Sequence, residues 1–459
     1  MKLLPLPVCL AVLLCAGCGN MLKSKYQRPH IHYPDHWQNE TVGTVPAPFI
    51  WQDFRDPALN NWLHQVMTRN NDLARAMLRF YRAQLNAERT GILATPDLNF
   101  RLNGGAEHEL YGSSSWQDKS GTSLSTRYEV DLWGKLARAQ DAAEWLSRAS
   151  EQDLRAARLT LLANASTNYW RIGYLNQQIS ISQESLEYAK KTRQLASARF
   201  HAGKISPLDV VNAEQNVLKQ EDRLLTQQYQ RQQALNEQTV LLGAPPGKTV
   251  VEPGSLSQGP LPQINNGIPV SILSRRPDVN AAEMRLRAAL SDIDARRTQY
   301  YPSFTLTGTL GTSSSALLTF LSNPVAGIGA SLTLPFLEWR KMSVDVNIAQ
   351  NDYEQRALEF TQTLYKAMSD VDNALSLRAQ LMAQETHLQT TLALARKSER
   401  LNEVRYRQGA VTITDWLNAQ EQRRQTESAL NENRFNQYQN MAKIYLEFGG
   451  EGKEVFLHN

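Results

Sequence analysis

Arg199-Phe200-His201-Ala202-Gly203-Lys204-Ile205-Ser206-Pro207-Leu208-Asp209-Val210-Val211-Asn212-Ala213 returns later in the chain as Arg405-Tyr406-Arg407-Gln408-Gly409-Ala410-Val411-Thr412-Ile413-Thr414-Asp415-Trp416-Leu417-Asn418-Ala419. Arginine, aromatic, glycine, acid and Asn-Ala keep one spacing, displaced by 415 − 209 = 206 residues. The same shift carries Asp72 onto Asp278, Ala76 onto Ala282, Arg79 onto Arg285, Ala83 onto Ala289 and Pro96 onto Pro302; Leu132 lands one residue off, on Leu337. The chain is therefore one design written twice. Ala244 to Pro269, with Pro245-Pro246-Gly247 and Pro260-Leu261-Pro262, reads as the connection between the copies.

Each stretch reads as the tip of a helical hairpin. Gly203 or Gly409 ends the incoming helix, and the return helix starts at once. Ser206 is placed as N-cap, Pro207 at the first helical position and Asp209 at the third; Thr412 and Asp415 repeat the arrangement. Capping of free amides at the positive helix end is one reading of both acids, and a role at the tip surface is the other. The incoming helices are unusually long. Leu136 to Ala202 contains no proline and only Gly173, and Glu338 to Gln408 contains neither residue. A helix of about 65 residues runs to roughly 100 Å. Ile172, Leu175, Ile179, Leu186, Ala189, Ala196 and Phe200 keep a 3-4 spacing, with Ser182 and Arg193 as its polar exceptions, which predicts coiled-coil packing. The return helices are expected from Pro207 to Leu242 and from about Ile413 to Phe448.

Ahead of each long helix the period changes to two. Leu98, Phe100 and Leu102 alternate with Asn99, Arg101 and Asn103; Leu124, Tyr128, Val130 and Leu132 alternate with Ser125, Arg127, Glu129 and Asp131. In the second copy Phe304, Leu306 and Leu310 oppose Thr305, Thr307 and Thr309, and Ala330, Leu332 and Leu334 oppose Ser331 and Thr333. Tyr300, Tyr301, Trp133, Phe336 and Trp339 flank the hairpins on the helix side, and Tyr111, Trp116 and Phe320 stand near the turns. Aromatic girdles at both ends fit a membrane barrel with a wet lumen; a soluble sandwich gives the same alternation. Four strands cannot close a barrel, because about eight is the minimum, and open edges are not tolerated in lipid. Any barrel must be shared between chains.

Lys2, the apolar run Leu3 to Leu14 and the small residues before Cys18 form a secretory leader. Leu14-Cys15-Ala16-Gly17-Cys18 resembles the bacterial lipobox and would make Cys18 the acylated first residue, although Cys15 occupies a position that favours leucine; an ordinary signal peptide cut nearby is the alternative. All three cysteines (Cys9, Cys15, Cys18) fall in this leader, so the mature chain is expected to hold no disulfide. Beyond it no run of about 18 apolar residues offers a membrane-spanning helix. Lysine and arginine number 49 against 45 acids, a formal charge of +4 spread along the chain, with no basic stretch that would track nucleic acid.

Taken with Tyr26-Gln27-Arg28-Pro29, Asp56-Pro57-x-Leu59, Asn71-Asp72-Leu73, Asp131-Leu132-Trp133-Gly134, Arg276-Pro277-Asp278, Tyr301-Pro302-Ser303 and both tips, the chain resembles the TolC family of outer-membrane efflux factors, in particular its lipid-anchored NodT-like branch. The resemblance covers nearly all of the mature chain. It implies an α+β membrane protein: a homotrimer whose four strands per chain make a twelve-stranded outer-membrane β-barrel, continued by a periplasmic α-helical coiled-coil barrel. It implies a passive exit duct for drugs or other small toxic compounds, anchored in outer-membrane lipid and partnered by a periplasmic adaptor and an inner-membrane pump of RND type, with no cofactor and no nucleic acid. Asp415 matches the first of two acids that line the family's periplasmic constriction, and Asn418 stands in place of the second. Tyr406 matches a tyrosine that ties the closed helices, whereas Val411 replaces an arginine of the same latch. By the same analogy Arg199, Gly203, Asp209, Arg405 and Gly409 are candidate adaptor contacts at the tips.

The resulting division is a signal peptide over 1–17, an anchored segment over 18–60, a first repeat over 61–243 (hairpin about 97–133, helical hairpin 136–242), a linker over 244–269, a second repeat over 270–448 (hairpin about 303–337, helical hairpin 338–448) and a tail over 449–459. The sequence carries no zincin helix, nucleophile elbow, Walker loop or dinucleotide fingerprint, so an enzyme is not expected. His30-x-His32-x3-His36 has a spacing that suits a metal, but it follows the anchor in a proline-containing segment. A polypeptide exit duct of type I secretion and a non-conducting trimeric fibre are the competing readings.

Overall fold

The structure, a computed structural model, describes residues 22–33, 37, 51–108, 116–247, 251–264, 272–314 and 324–450. Cys18 with the whole leader, His36, Tyr111 and Phe320 lie outside the described residues. After a 3-10 turn at Trp51–Phe54 come α1 (Pro57–Arg69), α2 (Asn71–Ile92), β1 (Asp97–Glu107), β2 (Gln117–Val130), α3 (Lys135–His201) and α4 (Pro207–Leu241). The second half continues with α5 (Pro277–Thr298), β3 (Ser303–Ser314), β4 (Pro324–Thr333), a 3-10 turn at Pro335–Glu338, α6 (Trp339–Arg407) and α7 (Ile413–Glu447). The duplication is visible to the residue: α2 and α5, and likewise α4 and α7, start and stop 206 residues apart, and α3 and α6 end at the same offset. Among the described residues no helix is long and apolar enough to cross a membrane.

The chain divides into two compact units. The first holds the sheet, α5, most of α2 and the opening turns of α3 and α6. Its four antiparallel strands follow the order β1-β2-β3-β4. Phe100 pairs with Leu124, Leu124 with Leu310, and Leu310 with Ala326, so even-numbered residues share one face in all four strands. That face carries Leu98, Phe100, Leu102, Leu124, Tyr128, Val130, Phe304, Leu306, Leu310, Ile328 and Leu332. The odd face carries Asn99, Arg101, Ser123, Ser125, Arg127, Glu129, Thr305, Thr307, Thr309, Gly327, Gly329 and Ser331. Most of the apolar face is exposed within one chain, with Ile328 at 97% and Leu98 at 71%, while Tyr128, Val130 and Phe304 are half-buried. The outer edges of β1 and β4 have no strand partner among the described residues.

Two expectations about the strands fail at their ends. Leu132 and Leu334 lie beyond the sheet, which stops at Val130 and Thr333. The backbone leaves the ladder because Asp131 Oδ2 accepts from Ala137 N (2.8 Å) to start α3, and Trp133 Nε1 donates to Pro302 O (2.8 Å). Tyr300, expected in the aromatic girdle, is buried and its hydroxyl donates to Asp345 (2.5 Å). An extended segment after Lys23 clasps the helices of this unit. Ser24 bonds Asp294 through both backbone N (2.8 Å) and Oγ (2.7 Å), Tyr26 lies under Arg287 (4.4 Å), and Arg28 covers Phe360 (5.5 Å) and pairs with Glu283 (3.3 Å). Burial, with Glu283 nearby, pushes the Tyr26 hydroxyl up to about 12.

The second unit has its core where α1 meets α3 and α7: Trp51, Leu59, Trp62, Leu63, Val66, Tyr169, Trp170, Tyr438 and Tyr445 pack together. Asp56 caps α1 through Ala58 N (3.0 Å) and Leu59 N (3.1 Å) and accepts from Tyr169 Oη (3.2 Å); Trp62 Nε1 donates to Ala165 O (3.0 Å). Arg276 and Glu447 form an ion pair in which both side chains are buried. Along α3 the buried stripe runs through Ile172, Leu175, Ser182, Leu186, Ala189 and Ala196, but Thr192 replaces the expected Arg193, which is exposed with Phe200. Threonine can bury because its hydroxyl donates to Tyr188 O one turn back (3.0 Å); an arginine there would strand a charge.

Candidate functional site at the helical tips

Both tips are built from the same few bonds, and both lie in the second unit. At the first, Gly203 N donates to Phe200 O (2.8 Å) and Lys204 N to Arg199 O (2.9 Å); at the second, Gly409 N donates to Tyr406 O (3.0 Å) and Ala410 N to Arg405 O (2.9 Å). The glycines sit at φ +70° and +78°, in the left-handed region, with open space around a built Cβ. Backbone conformation rather than crowding therefore selects glycine here. The long helices end at His201 and Arg407, two residues before these glycines. Capping boxes open both return helices. Asp209 Oδ2 accepts from Ser206 N (3.1 Å), and Asp415 Oδ2 accepts from Thr412 N (3.0 Å) and Thr412 Oγ1 (2.7 Å). The Thr412 hydroxyl and amide hold the Asp415 carboxyl below the usual carboxylate range. Asp415 and Asn418 are exposed one helical turn apart, so they share a face of α7.

Tyr406 is buried in a cluster with Ala196, Ala213, Ile413 and Trp416. Its ring stacks on Trp416 at 5.2 Å, and the Arg199 guanidinium lies 4.6 Å above its face. Arg199 also donates to Tyr406 O (2.8 Å) and Arg407 O (2.9 Å), closing the carbonyl end of α6. Neither Tyr406 Oη nor Trp416 Nε1 has a hydrogen-bond partner among the described residues. The structure thus brings Arg199 and Tyr406 together, while the Arg405 side chain is exposed and its charge helps to lower the Asp415 carboxyl.

Behind this cluster is a charged cleft of about 400 Å³ lined by Glu184, Tyr188, Arg396, Glu399, Glu403 and Arg423. Arg423 pairs with Glu399 (2.6 Å) and Glu427 (2.7 Å), Arg396 with Glu427 (2.9 Å), and Tyr188 Oη donates to Glu403 (3.3 Å). Burial raises the Glu399 carboxyl against the pull of Arg423. Burial and the nearby Glu403 and Glu399 push the Tyr188 hydroxyl up to about 12. Trp416, Tyr188 and Arg423 are absent from the sequence-derived site. The mismatch between Trp416 and Val210 at equivalent places in the two copies is the signal that marks the first of them. Among the described residues no group of three histidines, cysteines or carboxylates is placed to hold a metal ion.

A family description, outer membrane efflux protein, matches residues 62–244 and 268–450. The toxin and drug export protein A of Aggregatibacter actinomycetemcomitans is 28% identical over 454 residues, 98% of each chain. The cation efflux system protein CusC of Escherichia coli (strain K12) is 26% identical over 457 residues, 97% of this chain and 98% of that protein. Among solved structures, a membrane protein from Pseudomonas aeruginosa superposes with a TM-score of 0.85 at 25% identity, covering 93% of this chain and 99% of the other.

Proposed function

The chain belongs to the outer membrane efflux protein family, and from that premise we propose that it is the outer-membrane exit duct of a tripartite efflux pump. One observation carries this reading: a four-stranded sheet with an apolar even face, a polar odd face and two open edges. Lipid accepts the even face, water fills the space beside the odd one, and the edges are satisfied only by other copies. Three copies supply twelve strands, above the minimum for closure. The duct is held to outer-membrane lipid through Cys18 and conducts passively, without a catalytic step of its own. An inner-membrane pump of RND type and a periplasmic adaptor supply energy and coupling. Drugs and other small toxic compounds are the proposed cargo. One relative's name joins toxin with drug export, so polypeptide export belongs in the same test.

Within this duct Asp415, with Asn418 beside it, lines the periplasmic constriction as a ring of three carboxylates that favours cations. Tyr406 steadies the closed tip from behind, and the surfaces around Arg199, Gly203, Asp209, Arg405 and Gly409 receive the adaptor. Purified protein in a planar bilayer is expected to give discrete conductance steps, and a deletion strain is expected to gain susceptibility to some of a panel of drugs, dyes, bile salts and metal ions. Absence of both would leave a non-conducting fibre. Asp415→Ala is expected to lower cation selectivity; unchanged traces would reduce Asp415 to a helix cap.

A further inference from the structure

Charge is spread unevenly over the sheet. β3 and β4 carry no charged residue at all, so every charge of the four strands stands on β1 and β2. On the polar odd face, two arginines keep different company. Arg127 lies opposite Asp97 in the β1–β2 register and two residues before Glu129 on the same face, and Glu129 pairs with Lys135. Acids and bases balance at that end of the sheet. Arg101 has no such balance. It lies opposite Ser123, Ser123 opposite Gly311, and Gly311 opposite Val325. Within three positions of that level, none of the four strands carries another charged residue. Asp97, four positions back along β1, is about 13 Å away along the strand. That distance exceeds the Debye length of about 8 Å at physiological salt. The Arg101 side chain is exposed and makes no hydrogen bond or ion pair among the described residues.

Closing the sheet into a barrel adds neighbours to Arg101 but no counter-charge. The open edge of β1 is set against β4 of the next copy. Because β4 has no charged residue from Pro324 to Thr333, this holds in whatever register the two strands meet. The odd face of β4 is also small, with Gly327, Gly329 and Ser331 at its centre, so a long side chain on the adjoining strand has room to reach inward. Twelve strands about 4.8 Å apart and tilted by about 40° close at a backbone radius of roughly 12 Å. Three arginines projecting from that wall bring their charges within about 8 Å of the axis, a Debye length.

We propose that Arg101 of three copies forms a ring of guanidiniums in the barrel lumen that holds the carboxylate or phosphate groups of compounds in transit, a selectivity element opposite in sign to that of Asp415. The inference rests on the reading of the chain as a duct closed from several copies, and adds a class of cargo and the residue that recognises it. The guanidinium fork matches two oxygens of a carboxylate or phosphate. Asn99 and Asn103, two residues to either side on the same face and both exposed, add amide donors for the remaining oxygens. In water, three unit charges about 8 Å from an axial anion raise its affinity roughly tenfold per negative charge before screening. Acidic and zwitterionic compounds then meet attraction in a duct whose other charged ring favours cations.

Inorganic tripolyphosphate tests the ring in planar bilayers holding the full chain. At about 0.1 M salt it is expected to block the conductance of the unmodified protein. Arg101→Gln should raise the half-blocking concentration about tenfold or more, and Arg101→Lys, which keeps the charge and loses the fork, should fall between. Arg127→Gln should change it far less, because its charge lies beyond a Debye length from the ring. At about 1 M salt, where that length shrinks to about 3 Å, the block should weaken in all of them and Arg101→Gln should conduct like the unmodified protein. Arg101→Ser, which repeats the residue opposite, serves as a second neutral variant should Arg101→Gln form no channels. Discrete conductance with no block, with a block equal in the neutral Arg101 variants, or with a block lost in Arg127→Gln instead, would overturn the ring and leave the duct. Absence of conductance from the unmodified chain would overturn the duct reading and the ring with it.

Discussion

The two helical tips share a backbone and differ in their company. Gly203 and Gly409 turn the chain through the same bonds, and Ser206 with Asp209 and Thr412 with Asp415 open the return helices in the same way. Around the second tip, Tyr406 and Trp416 are buried beneath Arg199; around the first, Phe200 is exposed and Val210 half-buried in the corresponding places. Turning the chain is thus a local property, written in glycine and cap residues. What each tip holds on to is a separate property, written here in Tyr406 and Trp416 of the tip itself and in Arg199 and Tyr188 of the other repeat.

The largest test of that contrast is Trp416→Ala, which is expected to cost about 3–5 kcal/mol, read as a lower midpoint in chemical unfolding of the detergent-solubilised protein. Val210→Ala should cost well under half as much, and equal losses would erase the difference between the tips. Arg199→Ala comes next. It removes two charge-assisted bonds to the end of α6 and is expected to cost about 1.5–3 kcal/mol, whereas Arg405→Ala in a dissociated single chain should cost nothing measurable. A smaller effect separates the titrations. Glu399 is held above its unfolded value by burial, so its contribution is present at low pH and fades as pH rises through its raised pKa. Asp415 is held below its unfolded value by Thr412, so its contribution is present above the ordinary carboxylate range and fades as pH falls through its lowered pKa. Glu399→Gln should therefore flatten stability against pH above the ordinary carboxylate range, and Asp415→Asn below it; the reverse assignment would sink both. Smallest of all, Tyr188 should ionise only at about 12 by ultraviolet titration, and Glu403→Gln should bring that step down part of the way, since burial remains.

Much of this was legible in the residues themselves. The duplication, both glycines and both capping boxes are short-range signals, and α2, α4, α5 and α7 begin and end where the 206-residue shift requires. Alternation located all four strands but not their ends, because Asp131 leaves the ladder to cap α3, a bond that periodicity does not encode. Tyr300 looked like a girdle aromatic until its partner Asp345 was known, and Arg193 looked like a seam residue until Thr192 was seen to satisfy itself on its own helix. The cluster of Trp416, Tyr406, Arg199 and Tyr188 joins residues more than two hundred positions apart. Only the mismatch of the two copies at Val210 and Trp416 hints at it.

The outer edges of β1 and β4, without a strand partner among the described residues, have a consequence for inheritance. In a barrel closed from three copies, each copy touches two others through those edges, so one faulty sheet spoils two junctions and with them the whole cylinder. A gene copy whose product folds its helices but not its outer strands would then act dominantly, dragging sound polypeptides into leaking or dead ducts. A copy that fails to fold at all would be recessive, and the severity of a lesion would follow where it falls rather than how much it destabilises.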